Sequence, residues 1–329
     1  MASAITGTGT LSGSPTGYAG SNVQLTPAIQ TIWSKEILFQ SMPILRFEQF
    51  AVKKTELGVM PGLTVNFMRY NNLGDASQLT EGVRMQTNAL SASQFSITVA
   101  EQGYAVAVSE LLLNASFDDV MASSSRLLGR NMAKYLDGSA RDTLLTGSSV
   151  IFGHTPPTGA ITPISPYDPG TVAANRAGLT GTYWLRMETI KDGVETLATK
   201  DVPRLGETYV CFVHPHQSRR LRDTPEWIEV TKYASPGNFM LGEIGRINDV
   251  VFIETTQTKK TVNGAGAGNK DLYQSVMIGD NAFGHAISLP VELRDGGVLD
   301  FGREHALAWY AIWGFGLITD NAVVVIETN

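Results

Sequence analysis

Two period-2 runs separated by a polar linker constrain this chain more than any other feature. Gly62-Leu-Thr-Val-Asn-Phe-Met-Arg-Tyr70 and Gln94-Phe-Ser-Ile-Thr-Val-Ala100 alternate apolar with polar residues, as half-buried strands do. The whole stretch from Gly62 to Glu110 therefore reads as a long two-stranded β-arm. A hairpin of this kind is marginal in water unless a third element covers its apolar face. The linker from Asn71 to Ser93 is too polar to provide that cover. The missing surface is expected to come from another subunit.

The remaining composition fits a folded protein. At 329 residues, 43% apolar and 17% charged, the chain is long enough for two or three lobes at roughly 100–200 residues each. No run approaches the roughly 18 apolar residues of a membrane span, and no basic flank followed by an apolar stretch marks a signal peptide at the start. Secretion by that route is not expected. The single cysteine, Cys211, lies in the apolar run Tyr209-Val-Cys-Phe-Val213 and reads as an inert core thiol in a reducing compartment. A net charge of −6 argues against a protein whose main task is gripping nucleic acid. The one dense basic cluster, Arg219, Arg220 and Arg222, fits a solvated helix face or subunit contact, with phosphate binding as the alternative.

Residues 1 to 34 carry no charge and are rich in Gly, Ser, Thr and Ala up to Asn22, so a flexible arm is expected there. Thr26-Pro27 starts a short amphipathic helix that Pro43 ends. The clearest helix runs from the Ser116 cap to Gly147, with Phe117, Val120, Leu127, Leu128, Met132, Tyr135, Leu136 and Leu144 on one face. At ~1.5 Å per residue it is about 40 Å long, which suits a strut. Residues 152 to 181 read as a loop between lobes. A helix over 186–199, a buried strand over 208–213, a short helix beginning near His214-Pro215 and strands over 250–254 and 273–279 make up a mixed lobe. The loop tip Asn263 to Asn269 interrupts it. Ala306–Ile318 and Ala322–Glu327 are two apolar strands.

The chemistry-bearing residues form no convincing site. His214 and His216 have a His-x-His spacing that binds metal when both point one way, yet His154, His285 and His305 are scattered and no carboxylate lies close in sequence. The Gly264 to Gly268 run lacks the Gly-Lys-Ser/Thr ending of a phosphate loop. No Gly-x-Ser-x-Gly elbow appears. Tyr183-Trp184, Trp309-Tyr310, Trp313 and Phe315 lie among aliphatics and read as core. No catalytic residue, cofactor or metal is expected.

Local patterns then carry a resemblance. Leu79-Thr-Glu-Gly82, Glu101-Gln-Gly-Tyr104 before Val108-Ser-Glu110, Leu128-Gly-Arg-Asn-Met132 with Leu136-Asp137, His214-Pro215, Gly242-Glu-Ile-Gly245, Val251 to Glu254 and Gly279-Asp-Asn-Ala-Phe-Gly284 follow in order. This chain resembles the tailed-bacteriophage major capsid proteins of the Hong Kong 97 fold, and within them looks similar to those of phages related to the podovirus N-four, over roughly residues 25 to 329. The resemblance implies an α+β fold with a flexible N-terminal arm (1–25), an N-terminal helix and lead-in (26–57), an extended β-hairpin loop (58–110), a peripheral domain with a spine helix (111–182), an axial domain (183–290) and C-terminal strands returning to the peripheral domain (291–329). It implies a non-enzymatic protein that self-assembles into pentamers and hexamers of an icosahedral shell around double-stranded DNA. Portal, scaffolding and decoration proteins are the implied partners, and the virion capsid, assembled in the bacterial cytoplasm, is the implied location. Arg69, Glu81, Arg84 and Glu101, charges isolated among neutral arm residues, are the candidate intersubunit contacts. Some capsids of this fold link a loop lysine to a neighbour's asparagine, but no lysine occurs here between Lys54 and Lys134. An encapsulin-like compartment shell, and a metal-dependent enzyme using His214 and His216, are the alternatives.

Overall fold

The computed structural model describes residues 46–55, 64–70, 73–76, 78, 81–82, 84–85, 87–115, 120–156, 170–223, 243–265 and 270–329. The expected N-terminal arm and the helix after Thr26 lie outside these residues.

The longest helix, α2 (Val120–Leu144), follows a short α1 (Glu110–Ala115). Leu128, Met132, Leu136, Ala140 and Leu144 are all buried on it. Their spacing of four makes a single ridge down one face. The first three pack on β12 (Glu304–Leu317) through Leu307, Trp309 and Trp313. Trp309 and Trp313 stack at 5.8 Å, and Trp309 Nε1 donates to Asn131 Oδ1 at 3.0 Å. The last two, Ala140 and Leu144, join a second and larger core. One helix thus ties two cores together, which is the strut its length suggested.

The first core belongs to a four-stranded sheet in the order β1 (Val52–Lys54), β11 (Phe283–Leu299), β12, β4 (Ala100–Ser109). Buried residues alternate along β12 as period-2 strands require. The second core surrounds a mixed sheet in the order β5 (Ser149–Phe152), β13 (Val323–Thr328), β10 (Lys270–Ile278), β6 (Tyr209–Val213), β8 (Val250–Glu254), β7 (Glu243–Ile247), with β9 (Lys259–Ala265) also pairing β10. Every residue of β6 and β13 is buried, as befits central strands covered on both faces. Helix α3 (Met187–Thr199) packs on β13 and β5. Its Gly193 packs closely on the sheet, where a Cβ would lie 3.0 Å from Met277 Cε. Cys211 is buried in β6, and burial pushes its thiol well up.

Three expectations are corrected. β4 was expected to belong to the arm, but it pairs with β12 over ten residues, so the free-standing hairpin is only β2 (Thr64–Tyr70) with β3 (Ala92–Thr98). That hairpin also has a core within its own chain. Val65, Ile97 and Val99 are buried against Ala286. β12 packs on α2, and β13 pairs with β5, just after that helix, as it inserts between β5 and β10 in the mixed sheet, where its uninterrupted apolar run finds cover on both faces. β11, a 17-residue strand, crosses the expected boundary at residue 290. Pro290 and Gly296 break its sequence pattern, and each falls within a register shift, the places where a strand accommodates such residues.

Candidate self-association surface

The hairpin β2–β3 is seated at its root and bare beyond it. Ile97 fills a socket floored by glycines, since a Cβ on Gly316 would lie 2.7 Å from Ile97 Cγ1 and one on Gly284 3.0 Å from Ile97 Cδ1. Gly314 lets the backbone of β3 approach: a Cβ there would meet the Thr98 carbonyl oxygen at 2.2 Å. Past this socket the apolar side chains lose their cover. Met68, Tyr70, Leu73, Met85 and Leu90 are 61 to 72% exposed. Single exposed apolar residues are ordinary, but a run of them along one projecting element marks an interaction surface. Between the hairpin and the body a cleft of about 520 Å³ is lined by Met68, Tyr70, Phe95, Val52 and Ile318, with Lys200 and Asp280 among its polar groups.

The four charged candidates do not converge. Arg69 is in β2, its backbone opposite Ser93. Glu81 and Arg84 are exposed in the linker, and no ion pair involves either among the described residues. Glu101 lies on β4 and interacts with Tyr310 of its own chain, whose phenol is raised by desolvation and by the charge and hydrogen bond of Glu101. Arg294 stacks 3.9 Å over the same ring. Glu101 therefore has an intrachain role that sequence spacing could not show, because the register pairing β4 with β12 brings the two together.

The histidine pair has a structural explanation. His214 caps α4 (Pro215–Arg222): its Nδ1 accepts the His216 backbone N–H at 3.1 Å, and the Gln217 side chain accepts the His214 N–H at 3.1 Å. The His216 ring stacks on Tyr273 at 4.7 Å. Burial is the largest influence lowering the pKa of each imidazole, followed by His216 for His214 and by Arg220 for His216. Capping occupies only Nδ1 of His214, so a metal site here would need its Nε2, His216 and further ligands. Among the described residues no group of three or more His, Cys, Asp or Glu side chains could hold a metal ion. In the basic cluster, Arg220 lies 4.2 Å over Trp184 and Arg222 pairs with Glu254 at 3.3 Å. Both are anchored within the subunit.

No family model matches the sequence, and no curated protein matches it. Solved structures do match in fold. The capsid of Ralstonia phage GP4 aligns at a TM-score of 0.67 with 19% identity, over 87% of this chain and 91% of that one. The capsid asymmetric unit of cyanophage Pam1 aligns at 0.67 with 16% identity, over 86% and 92%. A chain of Mycobacterium phage Che8 aligns at 0.60 with 14% identity, over 85% and 90%. The α2 strut, the two sheets it joins and the projecting hairpin are the Hong Kong 97-type capsid fold, as the sequence resemblance implied.

Proposed function

We propose that this chain is the shell-forming major capsid protein of a tailed phage, assembling as pentamers and hexamers into an icosahedral container for double-stranded DNA. The observation that carries the reading is the β2–β3 hairpin, rooted on Ile97 yet presenting Met68, Tyr70, Met85 and Leu90 to solvent on a fold shared with phage capsids over more than four-fifths of its length. Surface of this kind is covered when a neighbouring copy receives it. Repetition by symmetry then turns modest contacts into a stable closed assembly. The role is structural, with portal, scaffolding and decoration proteins as partners, synthesis in the host cytoplasm and the virion as destination. In this reading Arg69, Glu81, Arg84 and Glu101 remain the charged residues proposed to meet a neighbouring subunit.

Negative-stain microscopy of the purified full-length chain tests this directly. Shells or ring-shaped capsomers are expected; a small uniform oligomer carrying stoichiometric metal would return the reading to the histidine-centred enzyme. Excising Asn71 to Ser91 and joining β2 to β3 by a short turn keeps the rooted strands intact. The product is expected to be soluble and unable to close shells, and normal particles from it would refute the role given to the hairpin.

A further inference from the structure

A basic surface forms where segments far apart in sequence meet beyond the end of β6. On α4, His216, Arg219 and Arg220 are spaced three and four residues apart, so they share one face, and all three are exposed. Lys260 of β9 reaches the same place: its ammonium lies 5.5 Å from the centre of the Tyr273 ring, on which His216 stacks at 4.7 Å. Trp184 underlies Arg220 at 4.2 Å. The stem of Lys270 lies over Gly181, whose carbonyl accepts the Trp184 indole N–H at 2.8 Å. Burial lowers the His216 pKa, and the nearby charges of Arg220, Lys260 and Arg219 lower it further.

The acids nearby do not balance these cations. Asp271 pairs with Lys260 at 2.6 Å and opposes the cations around His216. Glu254 pairs with Arg222 at 3.3 Å on a different face of α4, and Asp223 caps the helix C-terminus. Among the described residues none of Arg219, Arg220 and Lys270 has an ion pair, although the chain as a whole carries a net charge of −6. Like charges gathered in this way repel one another, a cost that an anionic partner removes. The rings also order the cations in advance. A guanidinium stacked on Trp184 keeps the N–H groups of its planar edge free to donate outward, and little side-chain freedom is left to lose when an anion arrives.

We infer that the face carrying Arg219, Arg220, Lys260 and Lys270 binds the phosphate backbone of duplex DNA without reading its bases. The cations stand on a helix face and a strand, an exposed surface on which a polyanion can lie. A contact of so few cations is weak and sensitive to salt, which agrees with a chain whose net charge excludes gripping nucleic acid as its main task. This inference rests on the reading of the chain as a container for DNA, and names the residues at which the wall touches its contents.

The test measures binding of a short mixed-sequence DNA duplex to the unassembled full-length subunit across a salt series, with shell yield read separately by microscopy. The double variant Arg219→Gln with Lys260→Gln is compared with a charge-matched control, Arg204→Gln with Arg246→Gln, which removes two exposed cations near the opposite end of β6. The patch variant is expected to bind at least tenfold more weakly than the parent, with a salt slope smaller by about 2, while the control stays near the parent. A charge-keeping variant, Arg219→Lys with Lys260→Arg, is expected to bind as the parent does, which separates lost charge from lost fold. Parental binding by the patch variant, or an equal loss in the control, would overturn the inference. So would a parent that binds polyglutamate but not the duplex, an outcome that would assign the face to an acidic protein segment. Each of these leaves the shell-forming reading standing, because shell yield does not depend on them. A parent that binds the duplex through these residues but forms no shells would overturn the container reading, and with it the place given to the contact.

Discussion

Asp137 Oδ1 accepts the backbone N–H of Phe47 at 2.8 Å across ninety positions of sequence, and that of Arg46 at 2.9 Å. The carboxylate is fully buried in α2, and the Phe47 ring lies 4.2 Å from that of Phe212 in the larger core. The lead-in to β1 is thereby pinned to the strut. Glu48 adds contacts to Lys53 of β1 at 2.5 Å and to His285 of β11 at 3.4 Å.

These two carboxylates should respond to pH in opposite senses. Burial raises the Asp137 carboxyl above its ordinary value despite the opposing backbone donors, so its ionisation costs stability as pH rises from the ordinary carboxyl range through the folded value. Burial also acts to raise Glu48, but His285 and Lys53 outweigh it and hold the carboxyl below its ordinary value. Its contribution is present above that ordinary value and lost as pH falls through the folded one. Urea unfolding of Asp137→Asn and Glu48→Gln between pH 3 and 7 is expected to show pH slopes altered in opposite directions. Asp137→Ala, which strands two buried donors, is expected to cost about 2–3 kcal/mol at neutral pH, and a loss below about 0.5 kcal/mol would contradict the pin.

The Ile97 socket predicts a compensating pair. Gly316→Ala places a methyl 2.7 Å from Ile97 Cγ1, an overpacking expected to cost about 1–3 kcal/mol. Ile97→Ala leaves a cavity and costs about 2–4 kcal/mol. Because each relieves the other, the double variant should be more stable than the sum by at least about 1 kcal/mol. Strict additivity in chemical denaturation would show that the two residues do not share one space. Gly314→Ala, facing the Thr98 carbonyl rather than a side chain, has no such rescue.

Much of this architecture was readable from residue pattern alone, and the failures share a cause. The helix at α2, the alternation of β12 and the apolar runs of β6 and β13 are local signals, and each gave an element in the span expected, although Leu127 and Tyr135, expected on the apolar face of α2, are exposed. Pairing is not local. The alternation before Glu110 gave β4 its strand character but could not name β12 as its partner. Likewise Ile97 could be read as apolar, but not that three glycines more than 180 positions away make room for it and its strand. β11 was hidden because Pro290 and Gly296 resemble loop residues until the register shifts absorb them. At the surface, the charges of the arm drew notice, whereas the exposed Met68, Tyr70 and Phe301 did not, since exposure of an apolar residue has no sequence signature.

Glu327 supplies a stability prediction within the mixed sheet. Its buried carboxylate in β13 accepts Gln274 Nε2 at 2.8 Å and Arg176 Nε at 2.8 Å, with a second contact from the Arg176 guanidinium. The hydrogen bond and charge of Glu327 raise the Arg176 pKa. Arg176→Ala would leave a buried charge with one neutral donor, at a cost of about 2 kcal/mol after allowing for the half-exposed arginine. Arg176→Lys keeps the charge without the planar fork and should lose roughly half as much. Thermal melts in which lysine is no better than alanine would show that geometry outweighs charge at this site.

The last prediction concerns covalent cross-linking of the proposed shell. The whole span between Lys54 and Lys134 lacks a lysine, so the β2–β3 hairpin and its linker offer no amine for an isopeptide bond. Immediately before it, Lys53 is engaged within its own subunit, its ammonium 2.5 Å from Glu48 Oε1. Cohesion must then come from buried apolar area, strand pairing and repeated polar contacts, each reversible in hot detergent. Assembled particles boiled with detergent and reductant are expected to run as one band near 35.5 kDa. A ladder of multimers that survives this treatment would contradict the prediction, and its loss in a Lys54→Arg variant would identify the amine.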